Sequence, residues 1–231
     1  MTASIDFGSK QIKFQVKFAK RKSLGITVTP DMEVLATAPI DTPIERIKEK
    51  IRHRAPWIIK QQGFFLSFHP KSAPKRYVNG ESHLYLGRNY RLRILSGKKN
   101  QVTYKGRFIE VTTKDKTKVK SLIRKWYRIK AKEKFAEIAE PLIQKFKKYQ
   151  VEPRGLYLQE MTTRWGSCTS KGKIILNPEL IKAPKACIEY VIVHELCHLI
   201  HPNHTQKFFD LQTKEMKDWE KWKNKLEKLL A

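Results

Sequence analysis

The sequence predicts an α+β fold, in which a β-rich N-terminal region over residues 1–113 precedes a helical domain over residues 114–231. Short apolar runs that alternate with polar residues recur through the first region and are typical of strands. Longer segments with apolar residues at helical spacing follow in the second region. The chain of 231 residues is long enough for each part to bury a core of its own.

The N-terminal region is predicted to begin with strands and to continue into one helix. The run I-K-F-Q-V-K-F alternates with a period of two, and two short strands are predicted on either side of the Pro30-Asp31 turn. Thr42 then offers an N-cap side chain, and Pro43 follows at the first helical position. An amphipathic helix is therefore predicted over residues 43–62.

A second β-rich stretch leads into the longest predicted helix. Residues 70–76 are predicted to be a linker or a loop, and strands follow over residues 83–94 and 101–111. The next helix should run over residues 116–148. Cations recur every four residues along one face of this helix, and they are Lys116, Lys120, Arg124 and Arg128. This row could bind the phosphates of a nucleic acid, although a solvated helix face explains it equally well.

The last third of the chain is predicted to contain a hairpin and two helices. The hairpin pairs residues 156–165 with residues 173–177 across a glycine-containing turn. A buried helix then starts near Pro184 and stays apolar as far as a histidine-rich segment. Residues 205–230 are predicted to form one amphipathic terminal helix, whose tryptophans are expected in the core.

The charge of the chain is unusual for a globular protein. Forty-eight Lys and Arg residues against 22 Asp and Glu residues give a formal net charge of +26. Such a field attracts phosphate backbones and other anionic surfaces, and it describes association rather than fold. Non-specific contact with nucleic acid through the basic surface is therefore a candidate interaction, beside the simpler interpretation that the charge provides solubility.

The cysteines and the N-terminus predict a cytoplasmic protein. Cys168, Cys187 and Cys197 form no C-x-x-C pair, and their odd number argues for a reducing compartment rather than a disulfide framework. The first residues lack the apolar segment of a secretory signal. No stretch approaches the roughly 18 apolar residues of a membrane span, so no membrane partner is expected.

Residues 191–204 read V-I-V-H-E-L-C-H-L-I-H-P-N-H and concentrate most of the chain's histidines in one short segment. Within it, His194, Glu195 and His198 fit the pattern H-E-x-x-H. Helical residues four apart share a face, so the two imidazoles can bind one metal ion. Glu195 lies one step around the helix, where it can act as a general base without being a ligand.

His204 is favoured as the third ligand, and His201 is the alternative. His201 would extend the same face if the helix continued, but Pro202 biases the residue before it away from helical geometry. The Pro-Asn turn that follows can bring His204 back toward the metal. Three protein ligands would leave the fourth position open, as in catalytic zinc sites. Cys168 is a further alternative, as a fourth ligand in a latent state.

Several segments around this motif form a recognisable set: R-W-G-S-C at 164–168, I-L-N at 175–177, A-P at 183–184 and H-E-L-C-H-x-x-x-x-N-H-x-x-x-F at 194–208. By these segments the chain resembles the YgjP-like metallopeptidases, which are related to the SprT and Spartan-type zinc proteases. Weaker similarities occur at Gly80-Glu81 and over residues 85–92, Y-L-G-R-N-Y-R-L, so the resemblance spans roughly residues 75–210.

The resemblance has consequences for the fold and for the site. It implies that residues 114–231 form a zincin-like metallopeptidase core with an HExxH active helix, a small sheet and a C-terminal helix. By the same likeness, His194, His198 and His204 would bind zinc. Glu195 would be the catalytic residue.

Other residues are candidates for contacts with the substrate. Arg164 can polarise a substrate carbonyl or bind a carboxylate, although a structural ion pair is an equal alternative. Tyr157 and Tyr190, which lie upstream of the histidines, are candidates to stabilise the oxyanion. Because a strand edge beside the metal can hold a substrate as an added strand, residues 157–165 or 173–177 are candidates for that edge.

The sequence therefore predicts a zinc-dependent peptidase that hydrolyses a peptide or protein substrate, with Glu195 as the general base. The main rival is a nucleic-acid-binding protein whose metal site is structural or inactive. The charge favours that rival, but no helix-turn-helix, zinc-finger or RNA-binding signature supports it. A DNA-associated protease of the Spartan-like type would combine the two activities.

Overall fold

The chain forms two compact units that divide between residues 73 and 74. Each unit has a hydrophobic core of its own. The loop predicted over residues 70–76 falls outside the described part of the chain except for its last two residues. The computed structural model describes residues 2–8, 10–29, 31–66, 75–161 and 164–230.

The first unit contains a four-stranded sheet. Its strands are β1 (Thr2–Phe7), β2 (Lys10–Phe18), β3 (Gly25–Val28) and β4 (Val34–Ala38). They lie in the order β1-β2-β4-β3, with β2 and β4 parallel at the centre and each outer strand antiparallel to its neighbour. Alternate residues of β2 are buried, as the period of two predicts, and these are Ile12, Phe14 and Val16.

One helix packs on this sheet. Helix α1 (Ile44–Leu66) confirms the helix predicted over residues 43–62 and extends it by one turn. Its buried residues Ile47, Ile51 and Ile58 recur at intervals of four and seven and join the core of the sheet. The charged residues of α1 are left on its outer face.

The second unit begins with another four-stranded sheet. Its strands are β5 (Ser82–Tyr85), β6 (Arg88–Ser96), β7 (Gln101–Lys105) and β8 (Phe108–Thr113). Their order is β5-β6-β8-β7, again with a central parallel pair and antiparallel outer strands. The two units therefore share one strand order and orientation, each followed by a helix, although no internal repeat stands out in the sequence.

The helix that follows this sheet is α2 (Val119–Phe146). One 3-10 turn precedes it and another follows it. The helix predicted over residues 116–148 is therefore confirmed. Leu92 and Ile109 of the sheet and Ile123 of α2 belong to one buried cluster. The sheet and α2 thus share one core. The domain boundary that the sequence predicts between residues 113 and 114 therefore falls inside the second unit.

A three-stranded sheet lies beyond α2. Its strands are β9 (Gly155–Leu158), β10 (Gly166–Cys168) and β11 (Lys173–Leu176), in the order β10-β11-β9. The predicted hairpin is wrong in its first strand, because β10 was expected to be the turn, and β9 instead pairs with β11 in parallel. The tight turn between β10 and β11 closes at Gly172, whose φ of 73° favours glycine.

Three helices complete the second unit: α3 (Lys185–Cys197), α4 (Gln206–Glu215) and α5 (Trp219–Leu230). The single terminal helix predicted over residues 205–230 is therefore wrong. Met216 is extended, with φ −147° and ψ 93°, and it separates α4 from α5. This break lets the Trp219 ring stack on Phe209 with centroids 5.7 Å apart, which a continuous helix would prevent.

Candidate metal centre

The C-terminal end of α3 carries the first two histidines of the candidate centre. His194 and Glu195 lie in the last turn of the helix, and His198 is its capping residue. The backbone N–H of His198 donates to the carbonyl oxygen of His194 at 3.3 Å, which keeps the two residues one turn apart on the same face. Their ring centroids are 5.0 Å apart.

The turn after α3 brings in a third imidazole. The helix ends at Cys197, and the chain reverses before α4, as Pro202 predicts. His204 lies just before α4, and its Nε2 atom is 3.0 Å from Nε2 of His194. The candidate ligand atoms of His194, His198 and His204 all lie within 4.8 Å of one another.

The two alternative ligands have other positions. His201 supplies its backbone to the centre, because its carbonyl oxygen accepts a hydrogen bond from Nδ1 of His198 at 3.2 Å. Cys168 lies in the wall of the same cleft, but its thiol is not part of the ligand group and is paired with the carbonyl of Thr169 at 3.6 Å. Among the described residues, the group therefore consists of three histidines.

In two of the three histidines, a hydrogen bond made by Nδ1 determines that Nε2 is the nitrogen available to a metal. Nδ1 of His194 donates to Oε1 of Gln212 at 3.0 Å, as Nδ1 of His198 does to the carbonyl of His201. Each Nε2 atom then carries the lone pair that can bind a metal. Gln212 is fully buried on α4.

The protonation states fit a metal site. Burial, reinforced by the neighbouring His198, lowers the pKa of His194 to about 4. The same two causes lower the pKa of His204. Both rings are therefore neutral at physiological pH, and a neutral imidazole is the form that binds a metal. Three imidazole nitrogens with one open side fit a divalent ion of the zinc type.

A phenylalanine forms the floor beneath the three rings. Phe208 is fully buried on α4, and its ring centroid is 4.9 Å from that of His194, 4.6 Å from that of His198 and 4.7 Å from that of His204. One apolar ring thus contacts all three imidazoles and limits their rotation. It also excludes water from the side of the centre that faces the core.

Glu195 lies beside the three histidines without belonging to the ligand group. The residue is only 5% exposed. Burial raises the pKa of its carboxyl to about 7, while the charge of Arg164 and a hydrogen bond from the backbone N–H of Cys168 act in the opposite direction. A carboxylate with a pKa near neutrality can both accept and return a proton.

Gly166 of β10 makes the space in which Glu195 sits. A Cβ atom at this position would lie 2.6 Å from Oε1 of Glu195 and 2.9 Å from its Cγ. It would also lie 2.9 Å from a methyl carbon of Val191. Any side chain here would displace the carboxylate, which gives a physical reason for the glycine of the R-W-G-S-C segment.

Two further sequence motifs hold the parts of the centre in place. Asn177, 4% exposed, donates from Nδ2 to the carbonyl oxygens of Met161 at 2.8 Å and Arg164 at 3.3 Å, which holds these two residues beside the end of β11. Gly87 approaches Pro184 so closely that a Cβ atom would lie 2.7 Å from the proline ring. The β5–β6 turn is thereby fixed against the start of α3.

An open cleft of about 690 Å³ gives access to the centre. Its walls include the histidine group, Glu195 and the residues of β10. β10 is an outer strand, and within the described residues only β11 pairs with it. The free strand edge beside the histidines is therefore residues 166–168. β11 pairs on both sides, so the edge expected at residues 173–177 is wrong. Of the alternative edge at 157–165, residues 157 and 158 belong to β9, at the other side of the sheet from β10.

The remaining candidate residues are divided between the cleft and other places. Arg164 is exposed and lines the cleft. Tyr190 is buried, and its ring stacks on Trp219 with centroids 6.3 Å apart. Tyr157 lies on β9, across the sheet from β10, and its ring folds over Gly155. Neither tyrosine is among the residues that line the cleft.

Gln212 is the site residue that sequence reasoning missed. A signal for it exists, because it follows Phe208 by four residues and lies on the apolar face of an amphipathic helix. A buried glutamine on such a face requires a polar partner. Sequence alone does not say that the partner is His194.

Comparisons with known proteins place the chain in a family. The model of the YgjP-like metallopeptidase domain matches residues 22–229, nearly the whole chain. Comparison with curated proteins and with solved structures gives no match. No helix of the described residues is long and apolar enough to cross a membrane. The match over residues 22–229 shows that the chain belongs to the YgjP-like metallopeptidase family, which supports a metal-dependent hydrolase acting on peptides or proteins.

Proposed function

We propose that the protein is a zinc-dependent peptidase in which His194, His198 and His204 hold the metal and Glu195 is the general base. The observation that carries this proposal is the convergence of three imidazole nitrogens within 4.8 Å, beside a buried carboxylate and in the wall of an open cleft. Three unpaired cysteines are consistent with a reducing, cytoplasmic compartment.

Zinc is the metal that this donor set favours. Neutral imidazole nitrogens are ligands that zinc prefers, and three of them leave one coordination position for water or substrate. When bound, zinc supplies a Lewis acid that polarises a carbonyl and lowers the pKa of water. The hydrogen bonds from His194 to Gln212 and from His198 to a backbone carbonyl would orient the ligands for it.

The role proposed for Glu195 follows from the position of its carboxylate. It takes a proton from the attacking water and holds it in a buried environment that favours the protonated form. It then returns the proton to the nitrogen of the leaving amine. The backbone N–H of Cys168 and the space above Gly166 hold the carboxylate in place during both transfers.

The substrate is proposed to bind as an extended strand along residues 166–168. Within the described residues no second strand pairs with the outer edge of β10, although the N–H of Cys168 on this edge donates to Glu195. Main-chain pairing along the rest of the edge does not depend on the side chains of the substrate. Unfolded segments of proteins can adopt this geometry, whereas helices cannot. Arg164 lies in the same cleft, where its guanidinium can polarise a carbonyl or bind a carboxylate of the substrate.

The proposal predicts cleavage of an unfolded protein. Incubation of the zinc-loaded protein with a denatured substrate should produce new amino termini that mass spectrometry identifies. A chelator should abolish the cleavage, and added zinc should restore it. A zinc-loaded protein that cleaves none of several unfolded substrates would favour the rival function, a metal-binding scaffold without hydrolytic activity.

Replacing Gln212 with methionine should weaken zinc binding by about 10- to 100-fold, which is typical of the loss of an outer partner of a ligating histidine. The apolar side chain has a similar length, so the core of α4 stays filled. Zinc affinity is measured by competition with a chromophoric chelator. Gln206→Met, on the exposed side of the same helix, is the control and should leave the affinity unchanged. Equal affinities for the wild type and Gln212→Met would contradict this positioning role.

The cationic row predicted on α2 gains little support as a phosphate-binding surface. Arg124 forms an ion pair with Glu160, in which its Nη2 atom donates to both carboxylate oxygens, at 2.8 Å and 3.0 Å. Lys118, on the preceding turn, lies 3.7 Å from a carboxylate oxygen of Asp115. Part of the positive charge at this end of the helix is therefore neutralised locally.

A further inference from the structure

The first unit contains a groove with a positive lining. It lies between the segment before β3, the turn after β4 and the outer face of α1, and its volume is about 780 Å³. Among the described residues, none that lines it is acidic. Its basic and aromatic lining residues are Lys22, Arg46, Lys50, His53, Arg54 and Trp57.

The cations of α1 form a row along this groove. Arg46, Lys50 and Arg54 are four residues apart, so they share one face and follow each other at intervals of about 6 Å. All three are exposed, and none has an ion-pair partner within the described part of the chain. They differ in this respect from Arg124, which Glu160 neutralises.

A further arginine is held close to this groove. The guanidinium of Arg21 lies against Gly25, where a Cβ atom would come within 2.9 Å of both terminal nitrogens. Leu24 and Ile26, on either side of Gly25, line the groove. A glycine in this strand therefore lets a cation rest on the backbone next to the groove, which adds to its positive field.

An exposed tryptophan lies at the far end of the row. Trp57 is 39% exposed, whereas Ile47, Ile51 and Ile58 of the same helix are fully buried. It follows Arg54 by three residues, so the indole lies on the same face as the cations. An indole beside a row of cations is a surface on which a planar base can stack.

We infer that this groove binds a single-stranded nucleic acid, with its phosphates along Arg46, Lys50 and Arg54 and a base on Trp57. The spacing of the cations is comparable to the repeat of phosphates along a strand, and the aromatic end suits an unpaired base. A membrane surface is flat on this scale and would contact only the rim of a groove of about 780 Å³. The inference does not depend on the peptidase activity, because every residue of the groove lies in the first unit.

Binding of a fluorescein-labelled oligothymidine by the full chain, followed by anisotropy, tests the inference. The triple variant Arg46→Glu, Lys50→Glu and Arg54→Glu should bind at least about 10-fold more weakly than the wild type. The slope of log affinity against log salt should fall by about 2, because three phosphate contacts are lost from a single strand. The matched control reverses three exposed cations near α2, Lys116, Lys120 and Lys125, and should lose much less.

The contribution of Trp57 separates a base-stacking groove from a merely cationic one. Trp57→Ala should weaken oligothymidine binding by about 5-fold or more, and Trp57→Phe should retain most of the affinity. Duplex DNA of the same length should bind more weakly than the single strand, because its bases are not free to stack. Thermal unfolding and zinc-dependent hydrolysis should be unchanged in all these variants, which shows that they are folded.

Several results would overturn the inference. Equal losses in the two triple variants would show that overall charge and not this groove attracts the strand. Equal competition by polyglutamate would show that the groove accepts any polyanion. Binding to vesicles of anionic lipid without binding to oligothymidine would assign the groove to a membrane surface. Unchanged binding of oligothymidine by Trp57→Ala would show that no base stacks on Trp57.

Discussion

Replacing Glu195 with glutamine should lower the rate of peptide hydrolysis by about 10²- to 10⁴-fold and leave the zinc content unchanged. The amide has the size and shape of the carboxyl group but cannot accept a proton from water. It still fits the space above Gly166, so the fold of the cleft is retained. The measurement combines kcat on an unfolded substrate with elemental analysis of zinc per chain.

The control for this variant is Glu189→Gln on the same helix. Glu189 is on α3 and pairs with Lys185 at 3.5 Å, so its replacement removes the same charge away from the cleft. It should keep full activity, because exposed ion pairs of this kind contribute little to stability. Full activity of Glu195→Gln would show that another group accepts the proton. Loss of zinc from Glu195→Gln would make Glu195 a ligand.

Removing the imidazole of His204 should release the metal, whereas removing that of His201 should not. His204→Ala deletes one of the three nitrogens that lie within 4.8 Å of one another. The loss of zinc affinity should exceed the roughly 10- to 100-fold loss that is typical when a hydrogen-bond partner of a ligating histidine is removed. Hydrolysis should then fall to the background rate at zinc concentrations that saturate the wild type.

His201→Ala is a matched control, because His201 serves the centre through its backbone. The carbonyl oxygen that accepts the hydrogen bond from Nδ1 of His198 at 3.2 Å is retained in alanine. This variant should therefore bind zinc and hydrolyse substrate nearly as the wild type does. The opposite pattern, with zinc lost in His201→Ala and kept in His204→Ala, would transfer the third ligand to His201.

Local patterns predicted the helices that have strong periodicity and clear ends. The capping residues at Thr42 and Pro43 and the isoleucines behind them located α1 to within a few residues. Pro202 correctly indicated that the helix carrying the histidines ends before it. These features depend on residues close in sequence, which is why the sequence carries them.

Pairing between distant segments was beyond the sequence patterns. Residues 166–168 contain glycine and serine and suggest a turn, yet they pair with β11 as the outer strand β10. The absence of a side chain at Gly166 leaves room there for Glu195. The parallel pairing of β9 with β11 joins two strands that have β10 between them in the sequence. Neither the order of these strands nor the shared topology of the two four-stranded sheets leaves a periodic signal.

The residues of the candidate site also divide into those that a local sequence pattern predicts and those that only long-range packing brings in. The H-E-x-x-H spacing on a helix is a local pattern, so His194, Glu195 and His198 could be proposed directly from sequence. Gln212, on α4, approaches His194 only through the packing of α4 on α3. Tyr157 and Tyr190 were candidates by residue type alone, and the packing of β9 and α3 takes them away from the cleft.

The most direct test of the central claim is a titration of metal-free protein with zinc while hydrolysis of an unfolded substrate is followed. The three histidines and Glu195 predict that the rate rises linearly and breaks at one zinc per chain. A full rate without metal would contradict the account, and so would a rate that keeps rising well beyond one equivalent. Binding of one zinc per chain without any hydrolysis would leave a metal-binding scaffold in place of an enzyme.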